Sequence, residues 1–260
     1  MITLIHPSID PVIFSFGQLS IRWYGLSYVV GLLLGIIYIK WINKKLVDPI
    51  PYKIIDDFFV WGALGVIIGG RVGYVLIYQF TSFINEPLII FYIWMGGMSF
   101  HGGLIGISIA CIIYCIIKKI NFLILGDMIS TSAPIGLFFG RIANFINSEL
   151  YGRVTYFNFA MIFPNIDNER RHPSQLYEAF FEGIIIFIIM FLITKKYLRK
   201  NVIGISTSIF LILYGFFRFF LEYLREPDPH IGFLFNHFTM GQILSIPMIL
   251  LGFYILKITK

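Results

Sequence analysis

The sequence predicts an all-α, polytopic membrane protein with about seven transmembrane helices, on three observations. The chain of 260 residues is 58% hydrophobic and only 13% charged, with a mean hydropathy of +0.82. A soluble domain carries roughly 25% charged residues, so a large aqueous core does not account for this composition. Apolar windows of about 20 residues, the length that crosses a bilayer, recur along the whole chain. Lysines gather in alternate connections between those windows, as in proteins that cross a membrane repeatedly.

In chain order the spans fall near 19–39, 58–79, 97–117, 123–146, 176–194, 203–223 and 239–258. The run from Leu88 to Trp94 is too short to cross and ends in Gly96-Gly97, so it reads as a re-entrant or interfacial piece before the third span. No internal repeat or low-complexity tract appears, and residues 1–260 read as a single transmembrane domain. Residues 150–173 carry the aromatic stretch Tyr156-Phe157-Asn158-Phe159 and a polar run from Asn165 to Arg171. They read as a small flap on the outer surface. His172-Pro173-Ser174 then opens span five, with Pro173 or Ser174 suited to helix entry. Cys111 and Cys115 sit four apart in one apolar run and read as small core residues, not a disulfide or metal pair. The opening Met-Ile-Thr-Leu-Ile-His-Pro has no basic n-region or cleavage site, so no signal peptide is expected.

Charge fixes the orientation. The connections after spans one, three and five, with the C-terminus, hold Lys40, Lys44, Lys45, Lys53, Lys118, Lys119, Lys195, Lys196, Arg199, Lys200, Lys257 and Lys260. These include every lysine in the chain. The opposite connections hold only Arg153, Arg170, Arg171 and Arg225. Positive residues stay cytoplasmic, which puts the N-terminus outside and the C-terminus inside. The net charge of +6 is then anchoring on the inner leaflet, and no nucleic-acid partner is expected.

The remaining cations, Arg22, Arg71, Arg141 and Arg218, lie inside or at the edge of spans. Ionisable groups are costly in hydrocarbon and mark functional sites by default. With the orientation fixed, Arg22 and Tyr24 lie at the outer end of span one and Arg71 past the midpoint of span two. His101 comes near the outer surface, and Arg141, Asn144, Tyr214 and Arg218 in the outer half. Separate helices thus deliver their costly groups to one level. Arg141, Asn144 and Ser148, spaced i, i+3, i+7, share one helix face. Arg218, Glu222 and Arg225 do the same, with a carboxylate between two cations. Arginine without lysine favours an anionic head group, gripped by a planar fork. The plainer reading of Arg71 is a structural pairing with a carboxylate or carbonyl. Glu149 fits either as a cap for its helix or as a group that orients Arg141 or Arg153. Arg225 and Glu226 fit equally as solvated rim charges. Trp23, Trp41 and Tyr92 read as interfacial anchors.

Several stretches together resemble one family. They are Asp10-Pro11-Val12-Ile13-Phe14, Trp23-Tyr24-Gly25-Leu26, Gly69-Gly70-Arg71-Val72-Gly73-Tyr74 and Gly96-Gly97-Met98-Ser99-Phe100-His101-Gly102-Gly103. Further along come Gly140-Arg141-Ile142-Ala143-Asn144 through Ser148-Glu149 to Gly152-Arg153, then Arg171-His172-Pro173-Ser174-Gln175-Leu176-Tyr177-Glu178. Tyr214-Gly215-Phe216-Phe217-Arg218, Arg225-Glu226-Pro227-Asp228 and Met240-Gly241-Gln242 complete the series. In this order they resemble the bacterial prolipoprotein diacylglyceryl transferases over nearly the whole chain.

That resemblance implies an inner-membrane enzyme that moves the diacylglyceryl group of phosphatidylglycerol onto the lipobox cysteine of a preprolipoprotein. Glycerol-1-phosphate would leave. It implies His101, Arg141 and Arg218 as catalytic residues. Tyr24, Asn144, Glu149, Gly152, Tyr214, Arg71, Glu222 and Arg225 are implied as supporting or substrate-contacting positions. The partners would be membrane lipid and the lipobox segment, and the expectation is a monomer. No cofactor and no metal is expected, since His101 lacks partner ligands at metal spacing. Residues 163–171 form a shorter connection than in many relatives, which leaves the flap's part in gripping the lipoprotein open.

Physical chemistry agrees with the reading. A thiol is only a few per cent thiolate at neutral pH, so either His101 takes its proton or nearby arginines lower its pKa. Preplaced guanidinium groups stabilise the leaving phosphate. An anion transporter would place its site near the midplane, commonly with inverted repeats, whereas here the polar groups crowd the outer third. An intramembrane protease needs a serine–histidine or paired-aspartate constellation, and Asp127, near the cytoplasmic end of span four, has no intramembrane aspartate partner.

Overall fold

The computed structural model of the chain describes residues 4–16, 19–46, 48–92, 97–197, 202–227, 232–234 and 237–259; the side chains of Leu19, Phe100 and His101 lie outside that description. The described chain is predominantly helical. Its main helices are α1 (Trp23–Asn43), α2 (Tyr52–Tyr78), α4 (Phe100–Lys118), α5 (Phe122–Ile146), α8 (Ile205–Leu221) and α9 (Met240–Ile258). A further continuous helix comprises α6 (Ser174–Glu178), a π-helical turn (Ala179–Ile185) and α7 (Ile186–Tyr197). Five of these are long and apolar enough to cross a membrane, namely α1, α2, α5, the composite 174–197 helix and α9. Two shorter apolar helices, 102–118 and 205–221, accompany them. Their outward side chains, such as Leu33, Ile68, Ile116 and Leu250, are exposed and apolar. A multi-pass membrane protein results.

Helix boundaries correct the sequence reading in places. Span one was expected from residue 19, but Leu19–Arg22 forms strand β3, antiparallel to β2 (Val12–Phe16). The apolar–polar alternation of Leu19-Ser20-Ile21-Arg22 has the period of a strand, and the helix starts only at Trp23. Arg22 therefore belongs to a hairpin rather than to a span. Helix α2 begins at Tyr52, just after Pro51, rather than near 58, because the apolar window excluded its charged first turns. Asp57 in that region pairs with Lys118 at 3.3 Å. The chain is also not purely helical. Strands β1 (Leu4–Ile5), β4 (Met161–Ile162) and β5 (Arg170–Arg171) form a small sheet in the order β1-β4-β5. Two-residue strands lie below what hydrophobic periodicity can register.

The chain divides into two compact units, residues 1–47 with 126–260, and residues 48–125. In the second, α2 and α4 meet along small residues at four-residue spacing. A Cβ on Gly65 would lie 2.7 Å from Gly106 O, and one on Gly73 2.7 Å from Gly102 Cα. Backbones this close are the usual result of such stripes in membrane helices. Short α3 (Phe80–Asn85) and a 3₁₀ turn (Pro87–Phe91) follow α2. Trp94 and Gly96, which the sequence placed in a re-entrant piece, lie outside the described residues.

In the first unit, Ile186, Met190, Ala143 and Phe163 are fully buried. Asp127 closes the N-terminus of α8. Its carboxylate accepts the Gly204 and Thr207 backbone N–H groups at 2.6 and 2.7 Å and the Thr207 hydroxyl at 2.8 Å. These are the unpaired donors that every helix start presents, so a structural task accounts for this intramembrane acid. Helix α9 opens with a capping box between Thr239 and Gln242.

Candidate active site

Helix α5, the composite 174–197 helix, α8 and the turn that follows it bring six charged side chains of the first unit together. Arg141 meets Glu178 at 2.9 Å and Glu182 at 3.0 Å. Arg218 meets Glu178 at 2.8 Å, approaches Glu182 at 3.8 Å and also pairs with Glu222. Arg225 stands 3.6 Å from Glu222. Cations and carboxylates thus alternate, and with all six groups ionised their charges cancel. Pairing of this kind is the condition for keeping charge in a low-dielectric interior.

The two signs are not equally placed. Glu178 and Glu182 have 0% side-chain exposure, while Arg141 and Arg218 each retain 13%. The two arginine side chains are therefore the more accessible members of the cluster, with the carboxylates enclosed behind them. A guanidinium has five N–H donors, so these carboxylates do not saturate Arg141 or Arg218. Such a face suits an anionic group. Tyr214 lies within electrostatic reach of Arg141, Arg218, Glu178 and Glu182.

Local backbone explains how Glu182 arrives. It lies in the π-helical turn, where helix geometry widens; such turns are frequent at functional sites. Gly183 adjoins it, and a Cβ there would lie 2.7 Å from Phe138 Cβ, so only glycine lets the turn approach α5.

Other expected residues occupy the same unit with differing tasks. The Tyr24 hydroxyl accepts from Tyr28 at 3.2 Å, and Tyr28 is within electrostatic reach of Arg141 and Glu149. The Glu149 carboxylate accepts from Asn144 and Asn147, each at 3.3 Å. No ion pair to Arg141 or Arg153 is seen among the described residues. Ser148 does not continue the Arg141–Asn144 face as expected, because α5 ends at Ile146. Ser148 has φ +56°, with its N–H on Phe145 O at 3.0 Å and the Glu149 N–H on Asn144 O at 2.9 Å. This is a Schellman turn with serine where glycine is usual, and Leu150 at φ +56° repeats the strain. Non-glycine residues held in this region concentrate at functional sites.

Gly152 acts through its backbone. Its N–H donates to His172 O at 2.9 Å, and a Cβ would lie 2.5–2.7 Å from His172 O, His172 Cβ and Leu224 O. Arg153 donates to Arg225 O at 2.9 Å, which ties this strap to the end of α8. Arg171 clamps the 150–173 connection, with Asp167 at 2.6 Å, Glu226 at 3.1 Å and the Tyr151 ring beneath it. That bond holds the Asp167 carboxyl below the usual carboxylate range and raises the Arg171 guanidinium. Arg225 is buried and Glu226 paired, so neither is a freely solvated rim charge.

His6 fastens the end of α5 from the N-terminal segment. Its Nδ1 accepts the Ser8 N–H at 3.1 Å, so the proton sits on Nε2, which donates to Phe145 O at 2.8 Å. Burial lowers the His6 pKa, and burial likewise lowers that of His172.

Arg71 and His101 belong to the other unit. Arg71 is buried and donates to the carbonyls of Ile89 at 2.6 Å and of Ile90 and Gly97 at 3.3 Å. Ser99 N–H donates to Gly70 O at 2.9 Å. Together these contacts fix the chain entering α4, in whose first turn His101 lies. The carbonyl pairing anticipated for Arg71 is thus what the structure contains. The His101 side chain is outside the described residues.

Glu178 and Glu182 were not singled out from the sequence, although they complete the cluster. The available signal was two carboxylates at i, i+4 near the start of an apolar span, a repulsive pair unless cations meet it.

The family model described as prolipoprotein diacylglyceryl transferase matches residues 11–258. The phosphatidylglycerol–prolipoprotein diacylglyceryl transferase of Rickettsia felis is 52% identical over 253 residues, covering 97% of this chain and 98% of that protein. The enzyme of the same name from Rickettsia bellii is 50% identical over 260 residues, covering 99% and 98%. That from Rickettsia canadensis is 50% identical over 249 residues, covering 96% of each. On this full-length match, the chain belongs to the prolipoprotein diacylglyceryl transferase family.

Proposed function

We propose that the protein transfers the diacylglyceryl group of phosphatidylglycerol to the lipobox cysteine of a preprolipoprotein. The cysteine sulfur attacks the glyceryl carbon that bears the phosphate. An S–C bond forms, the C–O bond breaks, and glycerol-1-phosphate leaves with the electron pair on its phosphate oxygen. The observation that carries this reading is the guanidinium face of Arg141 and Arg218, backed by fully buried Glu178 and Glu182. Such a face binds the lipid phosphate and stabilises the charge that gathers as it departs. The carboxylates keep both forks oriented before substrate arrives, so little reorganisation accompanies reaction.

In this reading His101 takes the thiol proton. Arg71 is a positioning residue for the helix that bears it. Tyr24, Asn144, Glu149 and Tyr214 border the phosphate and glyceryl region, while Glu222, Arg225 and Gly152 hold the frame. The enzyme works as a monomer with seven spans in the bacterial inner membrane, N-terminus periplasmic and C-terminus cytoplasmic. Residues 150–173 form a periplasmic flap. The lysine distribution supports that orientation.

The test is reconstitution. Purified protein in vesicles containing phosphatidylglycerol is given a lipobox peptide, and glycerol-1-phosphate release is followed with peptide mass. Equal amounts of thioether-linked diacylglyceryl peptide and glycerol-1-phosphate are expected, with none from a Cys→Ser peptide. Release without peptide modification would contradict the assignment.

A further inference from the structure

At the lysine-bearing end of the first unit, α1 and α7 flank a cavity of about 660 Å³ lined by Tyr38, Trp41, Lys45, Phe191, Thr194 and Lys195. Aromatic rings, rather than small residues in close contact, bridge the two helices. Tyr38 and Phe187 have centroids 5.1 Å apart, and Trp41 and Phe191 6.2 Å apart. The Lys45 ammonium lies 3.4 Å above the centre of the Trp41 ring. Two polar groups here have no partner among the described residues. The Tyr38 hydroxyl and Thr194 Oγ1 are fully enclosed without a hydrogen bond, and Thr194 is only 8% exposed. Buried hydroxyls in native proteins are nearly always satisfied, so the cavity is built to receive polar atoms as well as apolar ones. Its described lining contains two cations and no acid.

We propose that this cavity seats an anionic phospholipid of the cytoplasmic leaflet. Lys45 and Lys195 take the phosphate, and the Tyr38 and Thr194 hydroxyls donate to head-group or ester oxygens. The first part of an acyl chain lies along Trp41 and Phe191. Two lysines with no carboxylate in the described lining select net negative charge over a zwitterion. An aromatic wall with few polar groups is the usual make-up of a small-molecule site of this size. The inference borrows only the orientation from the preceding reading, and none of its residues belongs to the Arg–Glu cluster.

Trp41 supplies the readout. The full chain is placed in phosphatidylcholine nanodiscs doped with chain-brominated phosphatidylserine, or with chain-brominated phosphatidylcholine at equal mole fraction. Phosphatidylserine is anionic but is not the proposed substrate, so failure here is separable from failure of the transfer reading. Subtracting the emission of Trp41→Phe isolates the signal of Trp41. Its quenching is expected to favour the anionic lipid. That preference should fall about five-fold for each lysine neutralised in Lys45→Gln and Lys195→Gln, and should weaken with salt. Lys45→Arg with Lys195→Arg should keep it. Equal quenching by the two brominated lipids in the unsubstituted protein would overturn the proposal, whether or not the glutamine variants fold. A preference that survives both glutamine substitutions would overturn it too. Displacement of the anionic lipid by inorganic phosphate alone would assign the cavity to a soluble anion instead.

Discussion

Replacing Glu178 with glutamine removes one carboxylate that two arginines share. Glu178 has no exposure, with Arg141 at 2.9 Å and Arg218 at 2.8 Å. At an effective dielectric near 20, unit charges about 3 Å apart attract by roughly 5 kcal/mol. The glutamine avoids desolvating a carboxylate, and its amide oxygen still accepts one N–H, so the net loss is smaller than two full pairs. Breaking a buried pair from one side typically costs about 3–5 kcal/mol. The retained exposure of the Arg141 and Arg218 side chains puts the expected loss near the lower end, about 3 kcal/mol. That corresponds to a melting midpoint lower by on the order of 10 °C for a chain of this size. Helical circular dichroism of the detergent-solubilised protein follows this melt. Combining Glu178→Gln with Arg141→Gln should be less damaging than the sum of the two, because each removes the other's partner. A midpoint within about 2 °C of the parent, or strict additivity in the double variant, would refute the shared-carboxylate account.

Three further outcomes follow from the same geometry. Gly152→Ala should lower the midpoint by an amount equivalent to about 1–3 kcal/mol, since two of the three atoms its Cβ meets are carbonyl oxygens that cannot rotate away; an unchanged midpoint would show that the strap yields easily. His6 and His172 both have pKa values lowered from 6.5 by burial, so the unfolded chain binds more protons just below that pH. Their contribution is complete above 6.5 and declines as pH falls toward the folded-state values; the midpoint should drop with acidification in that window, less steeply in His6→Gln. His101→Asn should slow transfer by roughly 10²–10⁴-fold with protein accumulation unchanged. An unaltered rate at neutral pH would leave thiol activation to the arginines.

How much of this was legible beforehand depends on the kind of signal. Long apolar windows and lysine placement gave the helices, because a bilayer imposes a length and a charge rule on every span. The hairpin at 12–22 and the sheet joining Leu4–Ile5 to Met161–Ile162 were not legible. The two-residue strands are too short for periodicity and pair far apart in sequence, while the alternation at Leu19–Arg22 was absorbed into the apolar window read as span one. Within the site, Arg141, Arg218, Glu222 and Arg225 stood out as intramembrane or rim charges, and the structure joins them in one network. Glu178 and Glu182 escaped notice because attention to cations gave no reason to seek their counter-ions. Ser148 was read as helical by spacing alone, although the helix had already ended two residues earlier in a Schellman turn. Depth and spacing find groups that are costly in lipid; they do not say which are engaged with the protein's own backbone, as Arg71 is.

The measurement closest to the centre of the account is transfer of labelled diacylglyceryl from phosphatidylglycerol to a lipobox peptide by Arg141→Ala. Membranes holding the variant at parental abundance are compared with the parent. A rate lower by about 10²–10³-fold is expected from loss of one preorganised donor to the departing phosphate. Parental activity in that variant would remove the guanidinium face from the chemistry.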